Sequence, residues 1–108
     1  MSEVAHVGTP LIWYSSNPTQ TAAAAADTLV KFGSDGKATA NHIKMQNNTA
    51  ANVYYAYDQD STASGKMIYV LAAGQTLFED RSFLVLHVSS AAQQSFGGQS
   101  GISIEVFA

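Results

Sequence analysis

The residues able to exchange protons near neutral pH are His6, His42 and His87. A catalytic imidazole needs a nucleophile and an orienting carboxylate within reach. The chain has no G-x-S-x-G nucleophile elbow, and its three histidines fall in separate segments. His87 alternates with Val85 and Phe83, the pattern of a buried or interface histidine with one backbone partner. His42 opens a strand and reads as a rim residue. Asp58-x-Asp60-x-Thr62 resembles the first half of a calcium loop. A full loop needs a central Gly and a bidentate Glu at its twelfth position, where this chain has Tyr69. It reads instead as a solvated hairpin loop.

Glu79-Asp80-Arg81 sets two acids beside a base, but neighbouring strand positions face opposite ways. The expectation is a turn with a local ion pair. Gly97-Gly98-Gln99-Ser100-Gly101 precedes a strand rather than a helix, so it lacks the helix N-terminus that binds phosphate. There is no cysteine, which excludes disulfides, thiolate metal sites and cysteine nucleophiles together. The expectation is a non-enzyme with no cofactor and no metal. Tyr54, Tyr55, Tyr57 and Tyr69 could stack on sugars if exposed. Such tyrosines more often pack a core edge or a subunit contact, with the hydroxyl at the rim.

Positioning falls to strands. In residues 42–58, Ile43 and Met45 alternate with Lys44 and Gln46, and Val53, Tyr55 and Tyr57 alternate with Tyr54 and Ala56. Asn47-Asn48-Thr49-Ala50-Ala51 between them reads as the turn of a hairpin. Thr28-Leu29-Val30-Lys31-Phe32, Met67-Ile68-Tyr69-Val70-Leu71, Gln75-Thr76-Leu77-Phe78-Glu79 and Ile102-Ser103-Ile104-Glu105-Val106-Phe107 are further strand candidates, with Asp80-Arg81-Ser82 as a turn. Phe83-Leu84-Val85-Leu86-His87-Val88 is apolar on both faces, as expected of a strand covered by the core and by a partner. About seven short strands separated by turn signals predict an all-β antiparallel sandwich of jelly-roll or Greek-key type. It would span residues 28–108.

Residues 1–27 form an N-terminal arm or linker in this reading. Leu11-Ile12-Trp13-Tyr14 is either an edge strand with Trp13 in the core or an arm laid on a neighbouring subunit. Residues 17–25 fit a short helix capped by Asn17, or an extended linker.

The chain has 108 residues, 12% of them charged, and a net charge of −3. About a quarter charged is usual. So few charges suit a subunit packed among others, and the acidic balance argues against nucleic acid. No basic, apolar leader and no run of ~18 apolar residues is present, so no membrane partner is expected.

Residues 42–79 resemble small structural proteins that tailed bacteriophages encode beside their capsid genes. The resemblance rests on His42-Ile43-Lys44-Met45-Gln46-Asn47, Val53-Tyr54-Tyr55-Ala56-Tyr57-Asp58 and Leu71-Ala72-Ala73-Gly74-Gln75. It extends to Leu84-Val85-Leu86-His87-Val88 and Ile102-Ser103-Ile104-Glu105-Val106. It implies a head-decoration (cement) protein, made in the host cytoplasm and carried on the virion. Such a protein would bind the major capsid protein as a homotrimer. Leu11, Ile12, Trp13, Tyr14, Phe83, Val85 and His87 are the partner-binding candidates. A tail- or fibre-associated subunit and a carbohydrate-binding module are the alternatives.

Overall fold

Strand-forming sequence becomes eleven β-strands in the computed structural model, which describes residues 9–14, 21–22, 26–62, 67–97 and 99–108. They are β1 (Pro10–Leu11), β2 (Trp13–Tyr14), β3 (Thr21–Ala22), β4 (Thr28–Phe32), β5 (Ala40–Asn47), β6 (Val53–Tyr57), β7 (Tyr69–Leu71), β8 (Thr76–Phe83), β9 (Val85–Ser90), β10 (Gln94–Ser95) and β11 (Ile102–Phe107). One sheet runs β1-β11-β5-β8, the other β2-β4-β9-β6-β7, and β10 pairs with β3. Every strand pair is antiparallel. The two large sheets pack face to face as a β-sandwich. Between them lie Val30, Phe32, Met45, Val53, Leu86 and Ile102, each at most 2% exposed. Each contributes about 1.5–3 kcal/mol by leaving water.

The hairpin expected in residues 42–58 does not form. β5 pairs with β11 and β8, whereas β6 pairs with β9 and β7 in the opposite sheet. The segment between them is a corner that carries the chain from one sheet to the other. Asn47 builds that corner, and its side chain is fully buried. Its amide nitrogen donates to the carbonyls of Ala51 (2.8 Å) and Leu71 (2.9 Å). Its oxygen accepts from Thr49 N (3.0 Å) and Thr49 Oγ1 (2.6 Å). Alternation correctly assigns faces to both strands, but it carries no information about which sheet each strand joins. Of consecutive strands, only β6 and β7 pair with each other among the described residues.

The turn expected at Asp80-Arg81-Ser82 is also corrected, because β8 continues through it, with a register shift against β5 at Arg81 and Ser82. β8 is an edge strand, with β5 as its single neighbour among the described residues. Charges on an edge are tolerated and discourage pairing with other chains. The chain bends at Leu84, where it passes from β8 in one sheet to β9 in the other, and Asp58 holds the bend. Asp58 Oδ1 accepts from Leu84 N (3.0 Å) and Val85 N (2.8 Å), while Asp58 N donates to Val85 O (2.9 Å). Asp58 adopts φ 57°, a left-handed conformation that Asn also tolerates. Asp58→Ala should therefore cost about 2 kcal/mol, whereas Asp58→Asn keeps an acceptor and costs far less. Urea denaturation of the two variants tests this directly.

Residues 10–14 of the arm belong to the sandwich. Leu11 pairs with Val106 and Trp13 with Phe32, so the segment adds one strand to the edge of each sheet. Gly36, at φ 73°, leaves room for Tyr14, whose ring would lie 2.9 Å from a Cβ at that position. Residues 17–20 and 23–25 of the possible helix lie outside the described residues, while Thr21 and Ala22 are extended and pair with β10.

Candidate functional site

Two polar constellations are candidates for chemistry. The first lies between the sheets beside the β8 edge. Tyr55 and Tyr57 face the core, which follows from their spacing of two on β6, and their rings meet edge-on at 5.9 Å. Tyr55 stacks on Tyr69 at 5.3 Å, and Tyr57 leans on Phe83 at 4.9 Å. The Tyr57 hydroxyl donates to Glu79 Oε1 at 2.5 Å. Arg81 lies over the Tyr57 ring, 4.6 Å from its centroid, and donates to the Tyr69 hydroxyl at 3.0 Å. Glu79 and Arg81 therefore each hold a different tyrosine, and no local ion pair between them defines a turn. Asp80 instead pairs with His42 Nδ1 at 2.7 Å on the opposite side of the strand.

Burial, then the neighbouring Glu79, holds the hydroxyls of Tyr55 and Tyr57 above the ordinary tyrosine range. Both keep their protons to higher pH in the fold than in the unfolded chain, which ionises its tyrosines near pH 10. The stability they contribute is thus intact below about pH 10 and is lost as pH rises above it. The melting temperature should fall along that alkaline limb, and Tyr57→Phe should flatten the fall. A thermal melt series across the limb measures both.

The second constellation joins three distant segments on the outer side of the β9 sheet. His87 Nδ1 meets Asp27 Oδ2 at 2.6 Å, and both side chains are largely buried. The other carboxylate oxygen of Asp27 accepts from Ser61 N (2.9 Å) and Ser61 Oγ (2.6 Å). Ser61 and Ser89 hydroxyls meet at 3.0 Å. The histidine thus has a carboxylate partner and not the backbone partner that alternation suggested.

Serine, histidine and aspartate are all present, but Ser61 gives its hydrogen to Asp27. Among the described residues no serine hydroxyl bonds to His87, so no serine is activated. The group works as a clasp that seats loop 58–62 on the sheet. Asp60 caps the same loop by accepting from Thr62 N (2.7 Å) and Thr62 Oγ1 (2.6 Å), which holds its carboxyl below the usual range.

The partner-binding candidates separate into three places. Leu11, Ile12, Trp13 and Tyr14 come together at one edge of the sandwich. Leu11 and Trp13 are half-buried against the core, whereas Ile12 is 75% and Tyr14 40% exposed. Trp13 meets Phe96 edge-on at 4.7 Å, and its buried indole nitrogen finds no partner among the described residues. Phe83 is buried in the core. Val85 and His87 alternate with the core residues Leu86 and Val88 and so face away from it, half-buried. His6 lies outside the described residues.

Sequence reasoning passed over Asp27, Ser61 and Ser89. Their association spans 60 residues between Asp27 and His87, and no local pattern announces it. No family model, curated protein or solved structure matches the chain.

Proposed function

We propose that this chain is a non-enzymatic structural protein of a bacteriophage virion, a decoration protein attached to the outer surface of the head. The observation that carries the reading is the corner at Ile12. Strand pairing on either side fixes it, Gly33 N donates to Ile12 O at 2.7 Å, and yet its side chain is 75% exposed. An apolar residue held outward on a rigid backbone loses little freedom on binding, so it favours a contact with another protein. The neighbouring Tyr14 adds an exposed aromatic of the kind that anchors interfaces. The low charge of the chain and its resemblance to phage structural proteins direct the partner choice to the major capsid protein. A homotrimer would engage three such corners at once, and avidity would convert weak contacts into firm attachment.

The test is light scattering of the full chain, followed by re-attachment to purified capsid shells stripped of their surface protein. A trimer that rebinds, and loses rebinding on Ile12→Asp, supports the reading. A monomer that does not bind shells overturns it. Truncation before Thr28 would strip an edge strand from each sheet, so the point substitution is the cleaner probe.

A further inference from the structure

We propose that the free edge of β8 pairs with β8 of a second copy, so that one sheet runs continuously through two sandwiches. The inference goes beyond the virion reading and does not depend on it. β8 and β1 stand at opposite edges of their sheet, so the pairing leaves the Ile12 corner open.

The two large sheets present four edge strands among the described residues, and three of them are short. β1 and β2 have two residues each and β7 has three, whereas β8 has eight. Short length, proline, glycine kinks and lysine are the usual ways to block an edge. β8, read as Thr76-Leu77-Phe78-Glu79-Asp80-Arg81-Ser82-Phe83, has none of them.

Backbone alternation shows which groups the edge offers. Asn47 N donates to Gln75 O (2.9 Å) and Asn48 N to Gly101 O (3.1 Å). Odd-numbered residues of β5 therefore bond to β8 and even-numbered ones to β11. On β8, Leu77 and Glu79 direct their N–H and C=O groups to β5. Thr76, Phe78 and Asp80 turn theirs to the open side, and all three residues are exposed. The stretch is bounded at one end by the turn that Gln75 N closes on Ala72 O (3.0 Å), and at the other by the register shift at Arg81 and Ser82. Its centre is Phe78.

An antiparallel pair about a twofold axis at Phe78 satisfies every open N–H and C=O of these three residues at once. It sets Phe78 beside Phe78 of the second copy and Thr76 beside the second copy's Asp80. Phe78 is 52% exposed, so the contact covers an apolar ring. Asp80 Oδ1 meets His42 Nδ1 at 2.7 Å, which leaves Oδ2 to accept from the Thr76 hydroxyl of the other copy. The edge charges exclude the neighbouring registers. An axis at Glu79 or at Asp80 would set identical carboxylates against each other, and an axis at Leu77 would leave Asp80 facing the turn. The stretch is thus its own complement in one register. So short a contact is weak, with a dissociation constant on the order of 100 μM. Dilute folding measurements then read the unpaired chain.

Sedimentation equilibrium of the full chain between about 10 μM and 1 mM tests the pairing. The mass should double reversibly across that range. Phe78→Pro removes an open N–H and no bond to β5, and it should abolish the doubling. Thr76→Lys sets an ammonium beside Asp80 of the other copy and should lower the midpoint concentration at least about fivefold. Thr76→Asp sets carboxylates together there and should raise it by about as much. A mass that stays constant with concentration overturns the proposal. So does doubling that survives Phe78→Pro in a variant keeping the parent's circular dichroism spectrum, or a midpoint that the two Thr76 variants fail to move in opposite directions.

Discussion

Asn47→Leu should lower the stability of the domain by about 3–5 kcal/mol, enough to unfold much of a population whose total stability is about 5–15 kcal/mol. Leucine repeats the branching of asparagine with bulkier methyl groups, so the loss adds some overpacking to the stranded polar groups. Removing the amide strands the carbonyl of Leu71 and the N–H of Thr49 inside the protein, while the carbonyl of Ala51 keeps only its bond from Thr49 Oγ1 (3.0 Å). Each stranded group forfeits its desolvation cost, about 1–3 kcal/mol, less whatever water can recover by entering the corner. Asn47→Asp should be comparably severe. It keeps the oxygen that serves Thr49 but turns a second oxygen toward two carbonyls that need a donor. In urea the midpoint should fall for both variants while the slope stays that of the parent, because the surface exposed on unfolding is unchanged. A loss below about 1 kcal/mol would show that the corner tolerates water and that the network is not needed.

Phe83→Ala should cost about 3–5 kcal/mol, while Phe78→Ala on the same strand should stay within about 0.5 kcal/mol. Phe83 is buried, with the ring of Phe32 at 6.0 Å and that of Tyr57 at 4.9 Å, so truncation opens a cavity where the sheets meet. Phe78 is 52% exposed, with the ammonium of Lys44 5.4 Å from its ring centroid. The register between the strands slips between Ala40 and His42, so that Ala40 faces Phe83 and both enter the core. Positions 78 and 83 lie an odd number of residues apart on β8, so alternation turns the two rings to opposite faces, and paired thermal melts of the two variants read that alternation. Equal losses would place both rings in the same environment and contradict it.

The sandwich was legible from residues because period-two patterning is local and strong. Val30 and Phe32, Ile43 and Met45, and Tyr55 and Tyr57 each show in sequence which face will be buried, and each is buried. What was lost is what alternation does not encode. Asn47 looks like an ordinary hairpin residue until Leu71 O appears beside it, 24 residues away. Asp80, Arg81 and Ser82 look like a turn because an edge strand open to water has a turn's composition. Tyr54 and Tyr55 read as one aromatic group, yet adjacent strand positions send one to the outer face of the sheet and the other to the core. Asp27 carries no signal at all, since its partners His87 and Ser61 reach it only when three segments converge.

The place of β11 has a consequence for how the polypeptide is made. This strand comes last in chain order, yet it lies inside its sheet, with β1 on one side and β5 on the other. Strand β1 therefore has no neighbour in that sheet, and β5 only one, until β11 has left the ribosome. Throughout translation the nascent chain exposes a strand edge and half a core, the condition in which β-proteins are most exposed to misassembly. Folding should begin in the β4-β9-β6-β7 sheet, which is complete sooner, and close only when β11 slides between two strands already waiting for it. Pairings this distant make slow folders, on the millisecond-to-second scale, and the ribosome sets when that clock can start.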